Sequence, residues 1–162
     1  MLFRSKTLAE RLTEGISEDA KFTFWEVAEG IVTKHYATVG PLFASLDAAF
    51  DLITEHSIQA GDIAEIHADV MKRTAVFNTV HPENDVAARG SLPYCLALAV
   101  CKRDPALLLG PGFADALLRD ASIRAMASRV KITENEDYEN QYPARSLARI
   151  TLKLRNGQSH TT

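Results

Sequence analysis

The chain has 162 residues, 46% of them hydrophobic and 24% charged, and 18 basic against 21 acidic side chains leave a formal charge of −3. Such a composition belongs to one globular domain with a core of its own, not to a disordered tail. It holds no run of five like charges and no apolar stretch of bilayer length, which excludes a phosphate-binding basic face and a membrane-spanning helix.

Residues 1–23 read as a leading segment, with a short helix at Thr7 to Leu12 and a loop at Gly15 to Asp19. Leu2-Phe3-Arg4-Ser5 is what the nucleotides CTCTTCCGATCT encode, the closing string of a common sequencing adapter, so residues 1–5 are expected to be a non-native start. From Phe22 to Val32 the apolar residues keep no clean period, and strand and helix both fit. Lys34 to Gly40 is a turn. Pro41 then opens a helix to about His56, with Leu42, Leu46, Phe50 and Ile53 on one stripe and Asp47, Asp51 and Glu55 on the polar side.

After Gly61-Asp62, a strand is expected from Ile63 to about Val70, where Ile66, Ala68 and Val70 alternate with His67 and Asp69. Residues 77–85 form a polar loop. A helix follows from Val86 to Lys102, with Leu92, Leu96 and Val100 on its buried face. Burying Tyr94 among them costs free energy unless its hydroxyl finds a partner. Gly110-Pro111-Gly112 breaks the chain before a short helix at Phe113 to Leu118, and Ile123, Ala127 and Val130 mark another. Val130 to Thr133 alternates as a strand, Glu134 to Glu139 is an acidic loop, and Arg149 to Arg155 alternates again. That strand runs into Asn156-Gly157, a strong hairpin signal, with few residues left for a return strand; a truncated C-terminal end is expected. Helices and strands mix without a regular βαβ repeat, so the class is α+β: a small sheet with helices packed on it.

Cys95 and Cys101 are the only cysteines and lie on one predicted helix. At about 100° per residue they point to opposite sides and cannot bridge each other. Outside any CxxC pair, they read as small hydrophobes in a reducing cytosol. No basic region followed by an apolar core opens the chain, and a cytoplasmic location is expected. The histidines (His35, His56, His67, His81, His160) lack HExxH or Cys-plus-His spacing, so no metal is expected. Gly110-Pro111-Gly112 has neither P-loop nor GxGxxG context, and Ser91 has no GxSxG context.

Lys34 sits where an apolar segment ends, just before a helix whose stripe must be buried. It reads either as a solvated surface lysine or as an ammonium at a pocket mouth, placed to hold a carboxylate. Partly desolvated, it could also move protons.

Three features together resemble the MmgE/PrpD family, which includes 2-methylcitrate dehydratase, cis-aconitate decarboxylase and iminodisuccinate epimerase. Lys34-His35-Tyr36-Ala37, leading through Gly40 into Leu46-Asp47-Ala48-Ala49, resembles the family's lysine turn and the helix behind it. Ile63-Ala64-Glu65-Ile66 is similar to its first lid strand, and Arg89-Gly90-Ser91-Leu92-Pro93-Tyr94-Cys95 to its Ser-Leu-Pro-Tyr helix start. The likeness spans residues 24–157 and makes 24–162 the smaller C-terminal, or lid, domain.

The resemblance implies cofactor-independent chemistry at a carbon beside a carboxylate: loss of water, loss of carbon dioxide, or epimerisation of a small di- or tricarboxylate. It gives Lys34 and Tyr94 catalytic roles, with Lys34 and Arg89 binding the substrate. It also implies a homodimer and an N-terminal helical domain that this chain lacks, so the chain alone is expected to be inactive. Family members often have proline at the position of Ala37, cysteine or histidine at that of Val39, and a Thr-His pair at Leu42-Phe43. Those departures put Val39 and Phe43 where family members carry histidine, which counts against a histidine-dependent proton transfer from this turn. The competing expectation is a binding or dimerisation module that kept the fold and lost the chemistry.

Overall fold

Alternation in one central strand organises everything packed around it. The structure, a computed structural model, describes residues 34–162, which form one compact unit. The sequence expectations for residues 1–33, including the domain boundary at residue 24, lie outside the described residues. Strand β1 (Ile63–Val70) buries Ile66, Ala68 and Val70 on one face and leaves Glu65, His67 and Asp69 on the other. Strand β2 (Val130–Glu134) joins it in parallel, with Ile66 opposite Val130 and Ala68 opposite Ile132. Strand β3 (Ala148–Leu154) flanks its other side in antiparallel, Ala68 opposite Ile150 and Ile66 opposite Leu152. Strand β4 (Ser159–Thr161) completes the order β2-β1-β3-β4. The β3–β4 turn holds Gly157 at φ 88°, a left-handed conformation that glycine adopts without strain. The return strand pairs Leu152 with His160.

The apolar face is covered by helices. Helix α1 (Phe43–Glu55) follows a 3₁₀ turn at Gly40–Leu42 and buries Leu46, Ala49, Leu52 and Ile53, whereas the expected stripe residue Phe50 is half-buried. The short helix α2 (Lys72–Ala75) follows β1. The helix expected over Val86 to Lys102 is two: α3 (Asp85–Arg89) and α4 (Leu92–Lys102). Ser91 makes the break. Its Oγ accepts the Tyr94 N–H at 3.0 Å and donates to the Thr79 carbonyl at 2.5 Å, so it caps α4 while the chain turns. Pro93 fits the first turn of α4, where its missing N–H is not needed.

Every residue of α4 from Leu92 to Val100 is buried, more than the single stripe read from sequence, because α1 lies on one side and α6 (Ala121–Ala127) on another. A helix apolar all round is what a central position requires. Burial pushes the Cys95 thiol up to about 12, consistent with an inert core residue.

Helix α5 (Asp115–Leu118) is shorter at its start than expected, since residues 111–113 form a separate 3₁₀ turn. The acidic stretch expected to be a loop contains helix α7 (Glu136–Gln141). Asn135 Oδ1 accepts the Tyr138 N–H at 3.3 Å, and Glu136, Asp137 and Glu139 sit in the first turn, where the helix dipole favours negative charge. Glu139 then takes Arg73 of α2 in a two-pronged pair at 3.0 and 2.6 Å, and that guanidinium lies 3.5 Å over the Tyr142 ring. The opposite sheet face is polar: Glu65 lies 2.7 Å from His67 Nε2, 3.6 Å from Lys153 and 3.8 Å from Lys131. The α+β class therefore holds, as a four-stranded mixed sheet with seven α-helices among the described residues. None of these helices is long and apolar enough to cross a membrane.

Candidate functional site

Lys34 to Val39 cannot form regular structure with its own neighbours, so its backbone is held by two distant segments. Ala37 N–H donates to the Leu108 carbonyl at 2.8 Å, and Val39 N–H donates to the Arg89 carbonyl at 3.1 Å. The Arg89 guanidinium returns the connection, Nη1 donating to the Ala37 carbonyl at 2.9 Å. The turn and the C-terminal end of α3 thus form one hydrogen-bonded unit. Thr38 is buried at its centre. Lys34 stays exposed, with Nζ 3.4 Å from the Thr38 carbonyl.

Tyr36 anchors the same turn on α1. Its hydroxyl donates to Asp47 Oδ1 at 2.7 Å, and its ring meets Phe43 edge-on at 5.6 Å and stacks with Phe50 at 6.4 Å. Burial, reinforced by the Asp47 carboxylate, drives the Tyr36 phenol well above its ordinary range, so it acts as a neutral donor. Asp47 is the residue that made the α1 segment look like the helix behind the family's lysine turn, and here it grips that turn.

Arg89 is the cation that lines a cavity on this side of the turn. Its guanidinium lies 4.6 Å over the Phe113 ring and 3.9 Å from Asp85. It lines an open cavity of about 390 Å³ with Asn84, Asp85, Gly110, Phe113 and Asp115. The aromatic face beneath it is a favourable partner for the guanidinium charge.

Tyr94 sits behind this wall, outside the cavity lining. It is 1% exposed, and its hydroxyl donates to the Gly112 carbonyl at 2.5 Å. Burial raises its pKa. The expected partner for the awkward phenol exists, and it is a backbone oxygen. In this arrangement the single hydroxyl hydrogen is committed to Gly112 and is not directed at the cavity. The bond instead fastens the turn that carries Phe113.

Tyr94→Phe should therefore act first on stability. It leaves the buried Gly112 carbonyl without a donor, a loss of about 1–3 kcal/mol. A lowered urea midpoint at unchanged slope is the expected result; an unchanged midpoint shows that this bond contributes nothing.

The structure thus brings Lys34's turn and Arg89 together and sets Tyr94 one layer deeper. Sequence reasoning missed Phe113 and Gly112. A beta carbon on Gly112 would lie 2.5 Å from Leu98 Cδ2 and 2.8 Å from the Leu107 carbonyl, so glycine is required there for close approach. The Gly110-Pro111-Gly112 break was the visible signal, but its role depends on Leu98 and Tyr94, which only the fold places beside it. Among the described residues, no group of three or more His, Cys, Asp or Glu is arranged to hold a metal.

Comparison with curated proteins finds no match. The family model for the MmgE/PrpD C-terminal domain matches residues 36–162, from the anchored turn through β4. The chain belongs to the MmgE/PrpD family, and residues 36–162 are its C-terminal domain.

Proposed function

We propose that this chain is the carboxylate-gripping part of a cofactor-independent lyase or isomerase, acting on a small di- or tricarboxylate by dehydration, decarboxylation or epimerisation. The observation that supports this best is that Arg89, which lines the cavity, holds the Ala37 carbonyl at 2.9 Å, in the turn that begins with Lys34. Breaking a bond at a carbon beside a carboxylate builds negative charge, and fixed cations are what stabilise it. Arg89 offers a planar fork, steadied by Phe113, for one carboxylate. Lys34 offers a compact ammonium for a second carboxylate or for the developing charge. Tyr94 holds the Phe113 turn and so supports the site from behind. In this reading a helical domain supplies the acid/base groups, and the working enzyme is a cytoplasmic homodimer.

A second reading is favoured by the commitment of the Tyr94 hydroxyl to Gly112, together with the apolar Val39 and Phe43. It is a module that binds or dimerises without turnover.

Titrating the chain with citrate, followed by backbone amide NMR, tests the site. Shifts are expected at residues 34–39, at Arg89 and around Phe113. Arg89→Gln should weaken binding about tenfold or more, each tenfold being about 1.4 kcal/mol. Absent shifts, or shifts confined to Lys131, Arg149 and Lys153 on the polar sheet face, reject it. Binding here without turnover once the helical domain is supplied selects the module.

A further inference from the structure

We propose that residues 135–147 form a strap across the end of β1, that it opens as one unit at the Arg73–Glu139 pair, and that its opening slackens the turn at residues 34–39 through Thr74. Topology sets the crossing. Strands β2 and β3 lie on opposite sides of β1, and Glu134 and Ala148 both stand opposite Val70. The chain between them must pass over the C-terminal end of β1. Nothing in that crossing belongs to the core: no residue from 135 to 147 is buried, and none of Tyr138, Tyr142, Pro143, Ala144 and Leu147 packs against the core cluster. A segment that buries so little apolar surface opens at low free energy, so its few ties decide whether it stays closed.

Those ties converge on one residue. Among the described residues, the hydrogen bonds that leave the crossing end on Val70 and Arg73. Asn135 N–H donates to the Val70 carbonyl at 2.8 Å, which fixes the base of the strap beside β2. Beyond that base, Arg73 alone holds it, donating to the Glu139 carboxylate from Nε at 3.0 Å, Nη2 at 2.6 Å and its backbone N–H at 3.3 Å. The same guanidinium covers the Tyr142 ring, 3.5 Å from its centre. The remaining bonds are internal: Tyr138 N–H donates to Asn135 Oδ1, Tyr142 N–H to the Glu139 carbonyl and Arg145 N–H to the Gln141 carbonyl. A segment bonded within itself and pinned at one point moves as a unit.

The pin also bears on the turn. Arg73 N–H lies in the first turn of α2, where no helical acceptor exists for it, and Glu139 supplies one. Helix α2 has only four residues, so losing that cap frays most of it. Its next residue, Thr74, is buried, and Thr74 Oγ1 donates to the Pro41 carbonyl at 3.1 Å. Pro41 lies in the 3₁₀ turn that joins residues 34–39 to α1. Release of Glu139 thus costs Thr74 its fixed position, and the Lys34 turn loses one of the posts at its far end.

Amide hydrogen exchange on the full chain, followed by NMR, tests this. In the wild type, the amides of Tyr138, Glu139, Tyr142 and Arg145 should share one level of protection, below that of the β1 amides. Arg73→Ala should lower it about tenfold, and Arg73→Lys nearly as much, because an ammonium keeps the charge without the two-pronged grip. Glu139→Ala should do at least the same, and the double variant should go no further than Glu139→Ala, since the two residues form one clasp. In each alanine variant the Ala37 and Val39 amides should exchange several-fold faster while those of β1 keep their protection. Strap amides unchanged in both alanine variants, or unequal in the wild type, overturn the proposal. So does an equal loss of protection in β1, which would be a general loss of stability, or an opened strap that leaves Ala37 and Val39 as in the wild type.

Discussion

Lys34→Ala, in a chain carrying the family's N-terminal helical domain, is expected to lower kcat/KM by about 10²-fold or more while barely moving the melting temperature. The two halves of that expectation have separate physical sources. Lys34 is exposed, and among the described residues its ammonium reaches the Thr38 carbonyl, at 3.4 Å. Removing it opens no cavity and strands no buried group, and exposed substitutions of that kind stay within about 0.5 kcal/mol. The same ammonium is the charge proposed to meet a carboxylate or the developing anion. Losing one such preorganised group costs about 10²–10³-fold in rate. Lys34→Arg should not restore activity, because a planar fork cannot reproduce a compact charge at the same point. Lys131→Ala, on the polar sheet face, is the matched control and should leave turnover intact. Wild-type turnover in Lys34→Ala removes this lysine from the mechanism. A large fall in melting temperature would mean that the loss of activity reports on folding.

Local rules made several elements legible. Ile66, Ala68 and Val70 alternate with polar neighbours because β1 has one covered face, and Asn156-Gly157 marks a hairpin because Gly157 can adopt φ 88°. Elements decided by distant partners were not legible. The helix at Glu136–Gln141 looked like a solvated loop because the group that pins it, Arg73, lies 66 residues away from Glu139. The break between α3 and α4 was hidden because Ser91 needs the Thr79 carbonyl for its second hydrogen bond.

The site divides along the same line. Lys34 stood out in sequence as a cation at an element boundary, and Arg89 entered through the family resemblance. Their connection through the Ala37 carbonyl spans 52 residues and no spacing rule reaches it. Tyr94 was picked out for its phenol in an apolar helix, and that logic correctly demanded a partner. It could not say that the partner was the backbone at Gly112, 18 residues on.

Gly112→Ala should produce the largest loss of stability among single methyl additions at the described glycines, about 3 kcal/mol. The added carbon would sit 2.5 Å from Leu98 Cδ2 and 2.8 Å from the Leu107 carbonyl. Leu98 is itself buried in α4 and has little room to withdraw, and the Leu107 obstacle is backbone. Overpacking of this kind costs about 1–3 kcal/mol, and it adds to any loosening of the Tyr94–Gly112 bond. Gly61→Ala is the contrasting substitution. Nothing lies within 4 Å of its added carbon, so the change should be close to neutral. The Gly112 turn also carries Phe113, the ring under the Arg89 guanidinium, 4.6 Å away. A turn pushed outward takes that ring with it and frees the fork to rotate, so citrate affinity should fall several-fold in molecules that remain folded. Denaturant melts of both glycine variants, with citrate titrations run well below each midpoint, separate the two effects. A Gly112→Ala variant with a wild-type midpoint shows that the turn can yield at no cost. A destabilised variant that binds citrate as tightly as wild type shows that Phe113 does not orient Arg89 for the carboxylate.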